Sequence, residues 1–87
     1  MNTAKEREDR KLVLTLADLT TGESAVVSRL HTEDRAILRR LIAMGILPGT
    51  GIALVRRSPA FVLSVGHARF AVDEALARRI YVTRDKR

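Results

Sequence analysis

The side chains that could do chemistry are few and scattered. The histidines are His31 and His67, the chain has no cysteine, and neither His has a second one at i+4. A transition-metal centre gathers three or four nitrogen, sulfur or oxygen ligands. His31 with Glu33 or Asp34 could hold a stray divalent ion only weakly, so the spacing predicts no dedicated metal site. Ser24, Ser28, Ser58 and Ser64 have no motif that sets a base beside them, and no activated nucleophile is expected. Asp73-Glu74 reads as the start of a helix and not as a paired-carboxylate acid and base. No glycine-rich phosphate cradle is present, which argues against nucleotide hydrolysis. These residues predict a binding protein with no cofactor, not an enzyme.

The most informative stretch is structural. Leu38-Arg39-Arg40-Leu41-Ile42-Ala43-Met44-Gly45-Ile46-Leu47-Pro48-Gly49-Thr50 reads as the end of an amphipathic helix, a glycine stop and a turn into a strand. Gly45 is predicted at the left-handed position that closes a helix, where a Cβ would clash. Ile46 and Leu47 should then fold back on Leu41 or Ile42. Leu47-Pro48-Gly49-Thr50 suits a type II turn, with proline at the second position and glycine at the third.

Around this corner the pattern is mostly β. Ser24 to Leu30 reads as a strand with a β-branched centre. Thr32 is the expected N-cap of the helix, with Glu33 and Asp34 in its first turn and Arg35 at the third position. Ile37, Leu38, Leu41 and Ile42 form its apolar stripe, flanked by Arg35, Arg39 and Arg40. Ile52 and Leu54, continued by Arg56, alternate with Ala53, Val55 and Arg57 as a second strand. Phe61–Val65 and Ala68–Val72 surround Gly66-His67 as a hairpin. Asp73 caps a short helical turn, and Ile80-Tyr81-Val82 is the last strand. The expected fold is mainly β with one or two short helices, a small barrel of five short strands.

Composition sets the broad class. With 87 residues and a formal net charge of +6, the chain suits one basic domain. Residues 1–11 read as a flexible leader, 12–83 as the folded domain and 84–87 as a basic tail. About half of the positive excess falls on those two ends, so the charge alone points to a solvated arginine-rich surface and not to a nucleic-acid site. Small barrels that bind nucleic acid present aromatic platforms. Here the aromatics are Phe61, Phe70 and Tyr81, and two of them lie on expected core strands. No run approaches the roughly 18 apolar residues of a membrane span. The polar start carries no secretory pattern, which predicts a soluble cytoplasmic protein.

From about Leu16 to Val82 the chain resembles the FeoA family and the related C-terminal domain of DtxR-type metalloregulators. The residues that carry this are Leu16-Ala17-Asp18-Leu19, Gly22, the corner Leu41-x-x-Met44-Gly45-Ile46-Leu47-Pro48-Gly49, Ile52 to Pro59, Gly66, Phe70-Ala71-Val72, Ala77 and Ile80-Tyr81-Val82. Two loop positions depart from the family pattern. Pro59 leads almost directly into Phe61 without the usual Gly-Asp-Pro group, and Asp73 stands where a basic residue is common. The resemblance implies an SH3-like β-barrel and a role in ferrous iron transport. The implied partner is a FeoB-type membrane transporter, engaged through its cytoplasmic GTPase part at the inner face of the membrane.

A partner surface is expected at the corner. Met44, Leu47 and Pro48 would form an apolar ledge, with Arg39 and Arg40 as its basic rim. The competing readings are a nucleic-acid-binding small barrel and a stand-alone regulator-type protein-interaction domain. Neither the oligomeric state nor the sign of any effect on the transporter follows from the residues.

Overall fold

The computed structural model describes residues 14–84. Its elements in chain order are β1 (Leu14–Thr15), a 3-10 turn (Leu16–Asp18), β2 (Ser24–Leu30), α1 (Arg35–Ala43), β3 (Gly51–Arg56), β4 (Phe61–Val65), β5 (Ala68–Val72), α2 (Glu74–Ala77) and β6 (Ile80–Arg84). The strands form one six-stranded antiparallel sheet in the order β1-β6-β2-β3-β4-β5, curled into a small SH3-like fold. The sixth strand beyond the expected five is β1. It is only two residues long and exists through its pairing of Leu14 with Val82 and Thr15 with Tyr81. β6 reaches Arg84, which pairs with Ala25, so the last strand extends beyond Val82 and takes in Arg84, while 85–87 lie outside the described residues. The leader expected at 1–11 lies outside the described residues.

Two bulges bend the sheet and decide which side chains enter the core. In β2, Val27 pairs with Val82 but Arg29 pairs with Tyr81, leaving Ser28 as the extra residue. The strand's phase therefore flips. Ala25 and Val27 are buried, and Leu30 instead of Arg29 returns to pack on the core. In β3, Leu54 pairs with Leu63 and Arg56 with Val62, with Val55 extra. Arg56 therefore does not continue the Ile52–Leu54 phase and lies exposed. Arg57, also exposed, follows the end of β3, with its guanidinium over the Phe61 ring and its Nη1 donating to the carbonyls of Ala17 and Leu19. This clasps the 3-10 turn to the end of β3.

The sheet encloses one apolar core. Leu16, Leu19, Leu41, Ile46, Leu54, Leu63, Ile80 and Val82 are fully buried. Burial of side chains this size stabilises by about 1.5–3 kcal/mol each, offset by the chain entropy lost on ordering. The β4–β5 hairpin turns on Gly66 at φ +60°, followed by His67 at negative φ, the sign pattern of a type II′ turn.

Candidate partner-binding site

The corner starts two residues later than expected at its helix. Asp34, not Thr32, is the N-cap of α1, and its carboxylate accepts from the amides of Ala36 at 2.9 Å and Ile37 at 3.4 Å. Arg35 is then the first helical residue. Thr32 serves the loop instead, its hydroxyl accepting from the Asp34 amide at 3.0 Å. The amide of His31 donates to the Arg79 carbonyl at 2.8 Å, which fixes where β2 lets go and the helix can begin.

At its other end the helix closes as a Schellman motif. Gly45, at φ +83°, donates to the Ile42 carbonyl at 2.9 Å, and Ile46 to the Leu41 carbonyl at 3.0 Å. Leu47-Pro48-Gly49-Thr50 follows as a turn of type II character, with Thr50 donating to Leu47 at 2.9 Å and Gly49 at φ +93°. The turn is then stitched to the centre of β2. Gly49 donates to the Val27 carbonyl at 2.7 Å, and the Val27 amide donates to Thr50 at 2.9 Å.

The corner buries only part of its apolar residues. Ile46 is fully buried beside Leu41, while Ile42 is 46% exposed and Leu47 42% exposed. The expectation that Ile42 belongs to the inward stripe and that Leu47 folds back with Ile46 is therefore corrected. The stripe that reaches the core is Ile37, Leu41 and Met44, at i, i+4 and i+7, and Ile42 falls off it. Met44 packs against the core and is only partly accessible. Arg39, Arg40 and Pro48 are exposed. Of the ledge expected at the corner, Leu47 and Pro48 are exposed, Ile42 is exposed with them, and Met44 is drawn against the core. Ile42 was assigned inward from the sequence, although its angular offset from Ile37 and Leu41 already pointed outward.

The basic rim extends past α1. Arg40 shares a groove of about 160 Å³ between α1 and α2 with Ile37, Asp73, Ala75, Leu76 and Arg79. Arginines near a helix C-terminus also suit the negative end of its dipole. No helix among the described residues is long and apolar enough to cross a membrane.

The polar candidates fall elsewhere. His31, Glu33 and Asp34 line one cavity of about 500 Å³ with Leu30, Thr32 and Arg79. Asp34 is committed to its cap, and Arg79 brings positive charge to the same depression. His31 packs edge-on to the Tyr81 ring, centroids 5.6 Å apart, and the Arg29 guanidinium lies 4.9 Å from that ring's centre. His67 sits in the β4–β5 turn. No group of three or more potential ligands is positioned for a metal ion among the described residues. Phe61 is 8% exposed, Phe70 is half-buried against the core, and Tyr81, also half-buried, lies beside Arg29 and His31.

The FeoA domain family matches residues 14–84, the whole described span. The chain belongs to the FeoA family. A relative from Leptolyngbya boryana, named for Fe(2+) transport as protein A, is 35% identical over 65 residues, or 74% of this chain and 79% of that one. FeoA of Stenotrophomonas maltophilia, solved with zinc, superposes with a TM-score of 0.72 at 32% identity, over 79% of this chain and 88% of that one. It is described as an SH3 domain protein and a candidate activating factor of ferrous iron transport. The regulator IdeR of T. acidophilum shares the fold with a TM-score of 0.79 at 25% identity, over 84% of this chain but 34% of that protein. The FeoA resemblance and the SH3-like fold that it implies are therefore borne out.

Proposed function

We propose that this chain is a non-enzymatic cytoplasmic accessory protein of ferrous iron uptake. It binds the cytoplasmic GTPase part of a FeoB-type transporter through Arg39, Arg40, Ile42, Leu47 and Pro48, above Met44. One observation carries the choice of surface. The large apolar side chains left exposed among the described residues are Ile42 and Leu47, and both lie on one corner beside two arginines. An apolar centre with a charged rim divides the work of an interface: burial supplies affinity, and charge steers the encounter. The FeoA family supplies the iron-transport context. A site beside an anionic membrane leaflet would further favour an arginine-rich module.

Leu47→Asp is the direct test, because Leu47 is exposed and its loss should leave the fold intact. Met44→Asp would confound the result, since Met44 packs on the core. The Leu47 variant, shown folded by circular dichroism, should co-purify with the transporter's cytoplasmic part at least about tenfold less well. Arg39→Glu with Arg40→Glu should mainly slow association and flatten its salt dependence. Folded variants that bind like the parent would place the interface elsewhere.

A further inference from the structure

The sheet ends at β5. This strand has β4 on one side and, among the described residues, no strand on the other. The hairpin fixes which backbone groups face outward. Val65 and Ala68 close the two-residue turn as a hydrogen-bonded pair, so Phe70 and Val72 also bond to β4, opposite Leu63 and Phe61. The amides and carbonyls of Arg69 and Ala71 therefore point away from the sheet. The amide of Asp73, still extended at φ −81° and ψ 171°, follows the same phase, while its carbonyl accepts from the Ala77 amide at 3.0 Å in α2. Exposed edges of this kind template the addition of another strand.

The side chains along the edge select the strand that would fit. Arg69, Ala71 and Asp73 share the outward face and are all exposed, with one charge of each sign four residues apart and a small residue between them. An antiparallel copy of the same segment, with its two-fold axis through Ala71, sets Arg69 opposite Asp73 of the second copy, and Asp73 opposite Arg69. Both charges are then paired by one symmetric register. Centring on Phe70 leaves Arg69 opposite Ala71, and centring on Arg69 puts like charges together. The same register brings half-buried Phe70 to the seam, opposite Val72 of the second copy, which stays buried in its own core. Asp73 can take part without giving up its helix. Its Oδ1 accepts from the Leu76 amide at 2.8 Å, which leaves the second carboxylate oxygen for an arginine.

We propose that two copies of this chain pair antiparallel through β5, centred on Ala71, with Arg69 of each copy bonded to Asp73 of the other. The contact is isologous and extends the sheet across the two-fold axis. It runs along β5 and meets the basic rim only at Asp73, which shares a groove with Arg40, and it does not depend on the iron-transport reading.

Sedimentation of the full chain from micromolar to millimolar concentration tests it. The parent should dimerise, while Arg69→Asp alone and Asp73→Arg alone should each weaken the dimer at least about tenfold by facing like charges. An equimolar mixture of the two variants should regain a dimer, because every pair across that interface is again opposite in sign. A parent that stays monomeric, variants that dimerise like the parent, or a mixture that stays monomeric would each overturn the proposal. Asp73→Arg also removes a helix cap, so amide exchange of the unmodified chain provides a second reading. Protection of the Arg69 and Ala71 amides should rise with concentration. Exchange that is fast at every concentration, or protection that does not change with it, would overturn the pairing.

Discussion

The guanidinium carbon of Arg57 lies 5.2 Å from the centre of the Phe61 ring, while the same group holds the carbonyls of Ala17 and Leu19. One side chain thus covers an edge of the core and satisfies two acceptors of a turn that has few other partners. Both bonds leave Nη1, so the rest of the planar guanidinium is free to lie over the ring, which a compact ammonium covers less well.

Arg57→Ala should therefore lower stability by about 1–3 kcal/mol, from two orphaned carbonyls and a lost cation–π contact. Arg57→Lys should recover little of that. Thermal melts of the three proteins decide it, and a lysine variant as stable as the parent would show that charge alone suffices.

Gly45→Val should cost at least about 1 kcal/mol, because a β-branched residue is strained in the left-handed region. The cost is one of backbone and not of space. A Cβ at Gly45 would meet only Val65 Cγ1, at an ordinary 3.6 Å, with φ at +83°. A melting temperature unchanged in Gly45→Val would contradict the strain.

Glu23 links the turn before β2 to the end of β6. Its carboxylate accepts from the Thr20 amide at 2.9 Å and the Thr20 hydroxyl at 3.2 Å, and it pairs with Arg84. The Thr20 amide first, then Arg84, holds its pKa below the usual glutamate value. A depressed folded-state pKa stabilises the protein above the unfolded value, and that stability is lost as pH falls through the folded value. Glu23→Gln should melt earlier than the parent at pH 7, and the gap should close as pH falls below about 4. A gap independent of pH would mean that the charge contributes nothing.

Titration of ferrous iron or zinc should reveal no tight one-to-one site. A sub-micromolar isotherm abolished by His31→Ala or His67→Ala would reverse this and make the protein a metal carrier or sensor.

What was legible in the sequence was local. Gly45, Pro48 and Gly49 announce the corner because their backbone preferences leave few alternatives, and Asp73 likewise announces α2. The bulges at Ser28 and Val55 depend on the register of strands distant in sequence, so alternation alone carried the Ile52–Leu54 phase on to Arg56, which lies exposed. Thr32 and Asp34 are both sound caps by composition. The bond from His31 to Arg79, 48 residues away, favours the later start. The ledge was visible in Arg39, Arg40, Leu47 and Pro48, but Ile42 needed the helix phase that only the packed Leu41 makes plain.

The stitching of Gly49 and Thr50 to Val27 has a consequence for recognition. Leu47 is held out to solvent by a loop anchored to the middle of the sheet and closed at the helix end by two further bonds. The freedom of this segment is surrendered when the protein folds and not when a partner arrives. The proposed docking surface, preorganised in this way, would add little ordering entropy to the cost of binding. Substitutions that loosen the corner without touching its exposed side chains should therefore weaken association while leaving every contact chemically intact.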